Sequence, residues 1–245
     1  MAQPPSPLLG CGLMDVTTRV SILVQTSFFD GVDPSVIEEA AKAAAELRLE
    51  RDTSLFHQGD EPSHSYLLAA GRVRLDQATS DGRNVLLRYF GVGEMIGTVA
   101  VLRRKPYPAA PISVEPGLAL YWSASATAKL VKANPQIAQN AIGLIGGRLE
   151  DLQERLREIS SYRVEQRIAA TLLRMIDQTG QPVENGIEIP FVISRNDIAD
   201  MNATTLHSVS RTLAAWEQGG ILTGKRTRHI VVARPDRLAE ISAAE

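Results

Sequence analysis

From Ile142 to Ile159 an aliphatic residue stands at Ile142, Ile145, Leu149, Leu152, Leu156 and Ile159, with spacings of 3, 4, 3, 4 and 3. That alternation is the a and d pattern of a helix whose apolar stripe is two positions wide. Arg148, Glu150, Asp151, Glu154, Arg155, Arg157 and Glu158 occupy intervening positions. One reading is an amphipathic helix packed on its own domain, which needs a broader stripe. The narrow seam with charged flanks points instead to a dimer-forming helix. Gly143, Gly146 and Gly147 interrupt its upper part, each at a cost of about 1 kcal/mol relative to Ala. Close approach of a partner helix or of a ligand would account for them, and so would a plain local weakness.

A chain of 245 residues can form two domains of ordinary size, each with its own core. The 44% apolar share and mixed charges read as soluble and globular. No run of about 18 apolar residues occurs, so no membrane span is expected. The opening "MAQPPSPLLGCGLMD" lacks a basic start and a sustained apolar stretch, so no export signal is expected. Cys11 is the one cysteine, which excludes an internal disulfide and a four-cysteine cluster within the chain. Its plain reading is a free thiol in a mobile tail, and a reducing cytoplasm is the expected location. A net charge of −2 weighs against nucleic-acid binding unless basic charge is concentrated locally.

Residues 1 to 20 are rich in Pro and Gly and read as loosely ordered. Asp33 and Pro34 then supply an N-cap and a first helical position for a short helix through Ala45. Between Leu47 and Trp122, runs such as "SYLLAA", "RVRLDQA", "NVLLRYF", "ISVEP" and "LALYW" alternate with Gly and turn residues. "SDGR" at 80–83 carries the Asp-Gly pair favoured in tight hairpins. The region reads as a small antiparallel β roll. Helical signal resumes near Ser125.

Beyond the seam, "SYRVEQRIAATLLRMIDQTG" predicts a helix ending near Gly180, and "GIEIPFVIS" a strand ending at Ser194. Ser194 is a good N-cap for "RNDIADM". After a turn at Asn202 and Ala203, "TTLHSVSRTLAAWEQGG" predicts a longer helix capped by Thr205. Together these make a helix-turn-helix. "ILTGKRTRHIVVARP" predicts two strands around Gly224, a wing. Lys225, Arg226, Arg228 and Arg234 concentrate positive charge there without an acid between Thr223 and Arg234. Local basic charge of this kind suits phosphate contact.

The order of β roll, long helix and winged helix-turn-helix resembles the CRP/FNR family of transcription regulators, from about Val20 to Leu238. "LFHQGDEPSHSYLLAAGRVRL", "GVGEMIGTVAVL" and "ISRNDIADMNATTLHSVSRTLAAWEQGGIL" carry the resemblance. It implies an α+β chain: a jelly roll of the cyclic-nucleotide-binding type over 21–133, a dimerisation helix over 134–160, and a winged helix-turn-helix over 161–238. The recognition helix would span about 205–217, in the major groove. His207, Ser208, Ser210 and Arg211 would then face DNA, with Arg211 the bidentate partner of a guanine. A pairing of Arg211 with Asp200 is the structural alternative. Ser194, Arg195, Thr205, Lys225, Arg226 and Arg228 would hold phosphates. Val209, Leu213 and Trp216 keep core spacing. The implied partners are a second copy, joined at the seam from Ile142 to Ile159, an inverted-repeat site on double-stranded DNA, and RNA polymerase if the chain activates.

On the effector side the sequence departs from the family's cyclic-nucleotide pattern. Where those relatives carry a Glu after the glycine, Thr98 follows Gly97. Where they carry Arg then Ser or Thr, Pro108 and Ala109 stand. Where they carry a Thr-Ser pair on the long helix, Leu152 and Gln153 stand. Cyclic AMP is therefore not expected. Gly97, Thr98, Val99, Pro108, Ala109, Leu149 and Leu152 are the expected pocket, better suited to an apolar or haem-like ligand. Arg103 and Arg104 read as surface residues on a turn. His57 and His64 could ligate haem or a metal, but isolated histidines near turns are commonly surface polar residues; no metal site is expected. The "YP" segment and the second helix look most like the nitrogen-oxide regulators, an analogy that names no ligand.

Two rivals frame this reading. An enzyme would need convergent nucleophile, base and oxyanion donors, and none is evident; "GVGEMIG" lacks phosphate-loop spacing. A nucleotide-regulated signalling module without DNA binding would lack the winged motif.

Overall fold

The structure is a computed structural model that describes residues 14–80, 84–223 and 229–244. Two compact units emerge. The first comprises residues 1–84 and 88–149, the second 85–87 and 150–245.

In the first unit, helix α1 (Val16–Val24) starts inside the stretch read as loosely ordered. Asp15 accepts a hydrogen bond from Thr18 N, and Leu23 is fully buried. The Pro and Gly residues that suggested a loose tail stop at Gly12, so they do not bear on this capped, apolar segment. A 3-10 turn (Ser27–Phe29) precedes α2 (Pro34–Ala43). Asp33 caps α2 by accepting from Ser35 N, and Pro34 opens it as expected. The helix stops two residues short of Ala45, because Ala45 already pairs with Tyr121 as the first residue of a strand.

That strand is β1 (Ala45–Leu49), followed by β2 (His64–Ala70), β3 (Val73–Ala78), β4 (Asn84–Phe90), β5 (Met95–Ile96), β6 (Ala110–Ser113) and β7 (Gly117–Ser123). They form two antiparallel sheets, β1-β7-β2-β5 and β4-β3-β6. Part of the Asp-Gly hairpin expected at 80–83 lies outside the described residues. The roll interior gathers Leu49, Phe56, Tyr66, Leu68, Val73, Phe90, Ile96, Tyr107 and Ala119. A second cluster joins Leu23, Phe28, Phe29, Ile37, Leu67, Leu120, Trp122 and Ile137. Helix α3 (Thr98–Arg103) was not expected within the β region. It is barely two turns long, too short to impose a periodic signal.

Helix α4 (Ala124–Ala133) leads into α5 (Pro135–Ser161), which carries the aliphatic seam. In the second unit, α6 (Val164–Thr179) ends at Gly180. A Cβ at Gly180 would collide with the Ile176 carbonyl and the Ile187 side chain, so the close approach there requires glycine. Strands β8 (Gln181–Val183) and β9 (Gly186–Glu188) follow. The expected strand to Ser194 is thus only three residues long before Pro190 interrupts backbone donation. Helices α7 (Arg195–Met201) and α8 (Leu206–Gln218) precede β10 (Leu222–Thr223), β11 (Val231–Val232) and α9 (Pro235–Ala243). The sheet order is β10-β11-β9-β8. Among the described residues no helix is long and apolar enough to cross a membrane.

Candidate functional site

The helix-turn-helix is fixed by local capping. Ser194 Oγ accepts from Asp197 N at 3.0 Å, while Asp197 Oδ2 accepts from Ser194 N at 2.8 Å, a reciprocal box that starts α7. Asn202 closes α7, and Ala203 turns the chain in the left-handed region with φ of 47°. Thr205 Oγ1 then accepts from Ser208 N at 3.2 Å to start α8.

Val209, Thr212, Leu213 and Trp216 bury one face of α8. His207 and Arg211 are exposed, with Ser208 and Ser210 half-buried beside them. Positions 207, 210 and 211 share one face by helical spacing. Among the described residues no ion pair joins Arg211 to Asp200, so the guanidinium is not taken up as the structural alternative required. Arg195 lies 3.8 Å from Glu217, a half-exposed pair that constrains it little. Leu206, which sequence reasoning passed over, is 47% exposed at the first position of α8. Its spacing of 3 from Val209 and 7 from Leu213 continues the buried side of the helix, and it stands exposed because it opens the first turn.

Lys225, Arg226 and Arg228 lie outside the described residues, and so does Gly224. Strands β10 and β11 flank that segment, pairing Leu222 with Val232 and Thr223 with Val231. Arg234 is tied to Asp236 through Nε–Oδ1 at 3.0 Å and Nη2–Oδ2 at 2.7 Å. Its charge is locally balanced, so it adds little to the basic cluster counted in the sequence.

In the roll, Gly97 has φ of +77° and a crowded Cα. A Cβ there would sit 3.0 Å from Tyr107 Cε1 and 3.2 Å from Phe56 Cε1. Tyr107 is 1% exposed; its hydroxyl donates to the His64 carbonyl at 2.5 Å and accepts from His64 N at 3.0 Å. Burial of the phenol raises its pKa. Thr98 is buried, and its hydroxyl has no hydrogen-bond partner among the described residues. Thr98 and Val99 line a shallow groove with Phe28, Met95, Leu102 and Leu144; Arg148 is its one charged lining residue.

Of the expected pocket residues in the first unit, Thr98 and Val99 line this groove, and Pro108, Ala109 and Leu149 do not. Pro108 is exposed and Ala109 is buried elsewhere, beyond the groove. Leu149 and Leu152 are 56% and 63% exposed on the seam. The chain leaves α3 through a left-handed residue, Arg104, with φ of 52°. Arg103 and Arg104 are exposed on this turn. His57 is exposed, and His64 packs edge-on to Tyr121 with Nδ1 3.0 Å from Ser63 Oγ. Among the described residues no group of three or more His, Cys, Asp or Glu gathers as a metal cluster.

Along α5 the seam is uncovered. Ile142, Ile145, Leu149, Leu152, Leu156 and Ile159 are 43–69% exposed. Gly143, Gly146 and Gly147 face open space.

Two family descriptions match this chain: a cyclic nucleotide-binding domain over residues 46–134, and a Crp-like helix-turn-helix domain over residues 166–241. A CRP-like cAMP-activated global transcriptional regulator of Mycobacterium tuberculosis is 22% identical over 220 residues, covering 89% of this chain and 97% of that protein. The cyclic AMP receptor protein of Thermus thermophilus is 26% identical over 194 residues, covering 79% of this chain and 87% of that protein. The structure of FixK2 from Bradyrhizobium japonicum superposes with a TM-score of 0.72 at 24% identity, covering 82% of this chain and 98% of that one.

Proposed function

We propose that this chain, which belongs to the CRP/FNR family of transcription regulators, reads an inverted-repeat DNA site as a homodimer in the cytoplasm. The observation that carries the reading is the polarity of α8. Val209, Leu213 and Trp216 anchor one face, while His207 and Arg211 leave the other free for base edges. Leu206, exposed in the first turn of α8, suits an apolar contact with a thymine methyl group. Ser194, Arg195, Thr205 and the basic residues Lys225, Arg226 and Arg228 supply phosphate contacts that fix register. The seam of α5 supplies the two-fold interface, since six aliphatic residues at coiled-coil spacing stand exposed in one protomer.

The regulatory ligand we propose is not a cyclic nucleotide. Thr98 offers a hydroxyl where a carboxylate would hold a ribose, and Pro108 and Ala109 offer no cation for a phosphate. The apolar groove beside Thr98 suits an apolar small molecule better. Where the protein activates, RNA polymerase is its further partner.

Selection of binding sites from random duplex DNA tests the reading, run with wild type and with His207→Glu. The wild type should select an inverted repeat with half-sites about one helical turn apart. The His207→Glu protein should differ from it at one position per half-site, because a carboxylate accepts from cytosine N4. Failure of the wild type to enrich any inverted repeat sinks the proposal.

A further inference from the structure

The last turns of α5 and the turn of the helix-turn-helix are joined by one continuous polar path. Glu158, near the end of α5, is 4% exposed, although its seam neighbours Leu156 and Ile159 are 67% and 45% exposed. Arg174 on α6 grips it with both arms of its guanidinium: Nη1 donates to Oε1, and Nη2 donates to Oε2 at 3.1 Å. The same Nη2 donates to Thr171 Oγ1 at 3.2 Å. Thr171 Oγ1 donates onward to Asn202 Oδ1 at 2.9 Å, and Asn202 Nδ2 donates to the Ile198 carbonyl at 2.7 Å. A second clasp runs alongside. Arg167 donates to the Asn202 carbonyl through Nε at 3.1 Å and to the Tyr162 carbonyl, just beyond α5, through Nη1 at 3.1 Å.

Asn202 is the C-cap of α7 and directly precedes Ala203, the left-handed residue that sets the direction of α8. Thr171 and Asn202 are each 2% exposed, so water does not compete for these bonds. Buried ion pairs and amides add little net stability over apolar side chains of similar volume. What they add is direction. Apolar contacts tolerate sliding, whereas a chain of buried hydrogen bonds with every member satisfied permits one arrangement. This path reaches Asn202, beside the left-handed residue Ala203 in the short turn from which the recognition helix departs.

We infer that Glu158, Arg174, Thr171 and Asn202 form a positioning relay, through which the end of the dimerisation helix fixes the attitude of α8. The two recognition helices of a dimer then face half-sites at one spacing only. The inference rests on the proposed DNA reading, and it assigns these four residues no contact with DNA.

Thr171→Val cuts the relay at its middle while keeping the side-chain shape, and Thr171→Ser keeps the hydroxyl. The probe is the inverted repeat that wild type selects from random duplex DNA, together with versions whose central spacer is one base pair shorter or longer. Thr171→Val should bind the selected repeat at least about tenfold more weakly. Its affinity should also depend less on spacer length than that of wild type, with Thr171→Ser matching wild type in both respects. A residue that serves stability alone would lower the melting temperature and leave the spacer profile unchanged, and that outcome overturns the relay. Equal affinity of Thr171→Val and wild type overturns it too. If wild type selects no repeat, the DNA reading itself fails first. Should circular dichroism show Thr171→Val unfolded, Glu158→Gln gives the same comparison from the other end of the path.

Discussion

The rings of Phe56 and Tyr107 stack with centroids 3.6 Å apart and planes 15° from parallel, directly against the Cα of Gly97. Tyr107 thereby packs into the roll interior against Gly97, next in sequence to Thr98. Calorimetric titration with cyclic AMP and with cyclic GMP should show no binding at micromolar concentration. Tight binding of either would mean that residues other than Thr98, Pro108 and Ala109 supply the missing contacts. Tyr107→Phe should cost about 1–3 kcal/mol in denaturant unfolding, because the backbone N–H and carbonyl of His64 both lose their phenolic partner.

The same cluster gives the fold an alkaline limit. Burial pushes the Tyr66 phenol up to about 12, with Tyr107 and Tyr121 adding to the effect. The unfolded phenol titrates near 10. A raised acid favours the neutral folded form, so its contribution is complete below pH 10. It is then lost as pH rises from about 10 to about 12, by something of order 2 kcal/mol. Denaturant midpoints measured between pH 8 and pH 12 should fall across that window for wild type. Tyr66→Phe should fall less; an identical slope would remove Tyr66 from the cause.

Much of this architecture was legible because its signals are local. Asp33, Ser194 and Thr205 announce helix starts through their own side chains, and each caps as its sequence context implies. The helix that carries residues 142–159 was legible from spacing alone. What escaped was long-range. Nothing in the sequence near Glu158 indicates that Arg174, sixteen residues on, buries it. Nothing in the sequence near Thr98 shows that Pro108 and Ala109 do not line its groove. Helix α1 was hidden by the prolines before it, whose composition says nothing about residues after Asp15.

Six aliphatic residues along 142–159 cannot all stay in water at no cost when a second copy offers the same stripe. Leu149→Lys combined with Leu152→Lys places like charges in the proposed seam. Sedimentation velocity should then report monomer, and DNA affinity should fall because one half-site offers too few contacts. A double variant that remains dimeric would place the interface elsewhere.

Ala203 holds φ of 47° in the turn between α7 and α8. For a residue with a Cβ that region costs about 1–2 kcal/mol, whereas glycine enters it freely. Glycine also loosens the unfolded chain, which offsets about 0.4–1 kcal/mol of the relief. Ala203→Gly should therefore raise stability by about 0.5 kcal/mol in chemical denaturation. A loss of stability would show that the Ala203 methyl makes a packing contact worth more than its strain.

Arg211 and the basic residues Lys225 and Arg226 should fail in different ways when removed. Arg211 is exposed on the outer face of α8, and its planar fork matches O6 and N7 of guanine. Arg211→Ala should cost about 1–3 kcal/mol on the selected site and relax the choice of base at one position per half-site. Lys225→Ala and Arg226→Ala remove charges proposed to meet phosphates, which carry no sequence information. They should weaken selected and unrelated DNA alike, and each should reduce the slope of log affinity against log salt by about 1. Fluorescence anisotropy on both DNAs, from low to physiological salt, separates the two behaviours. If Arg211→Ala weakens both DNAs equally and lowers the salt slope, Arg211 holds a phosphate, and base reading falls to Leu206, His207 and Ser208.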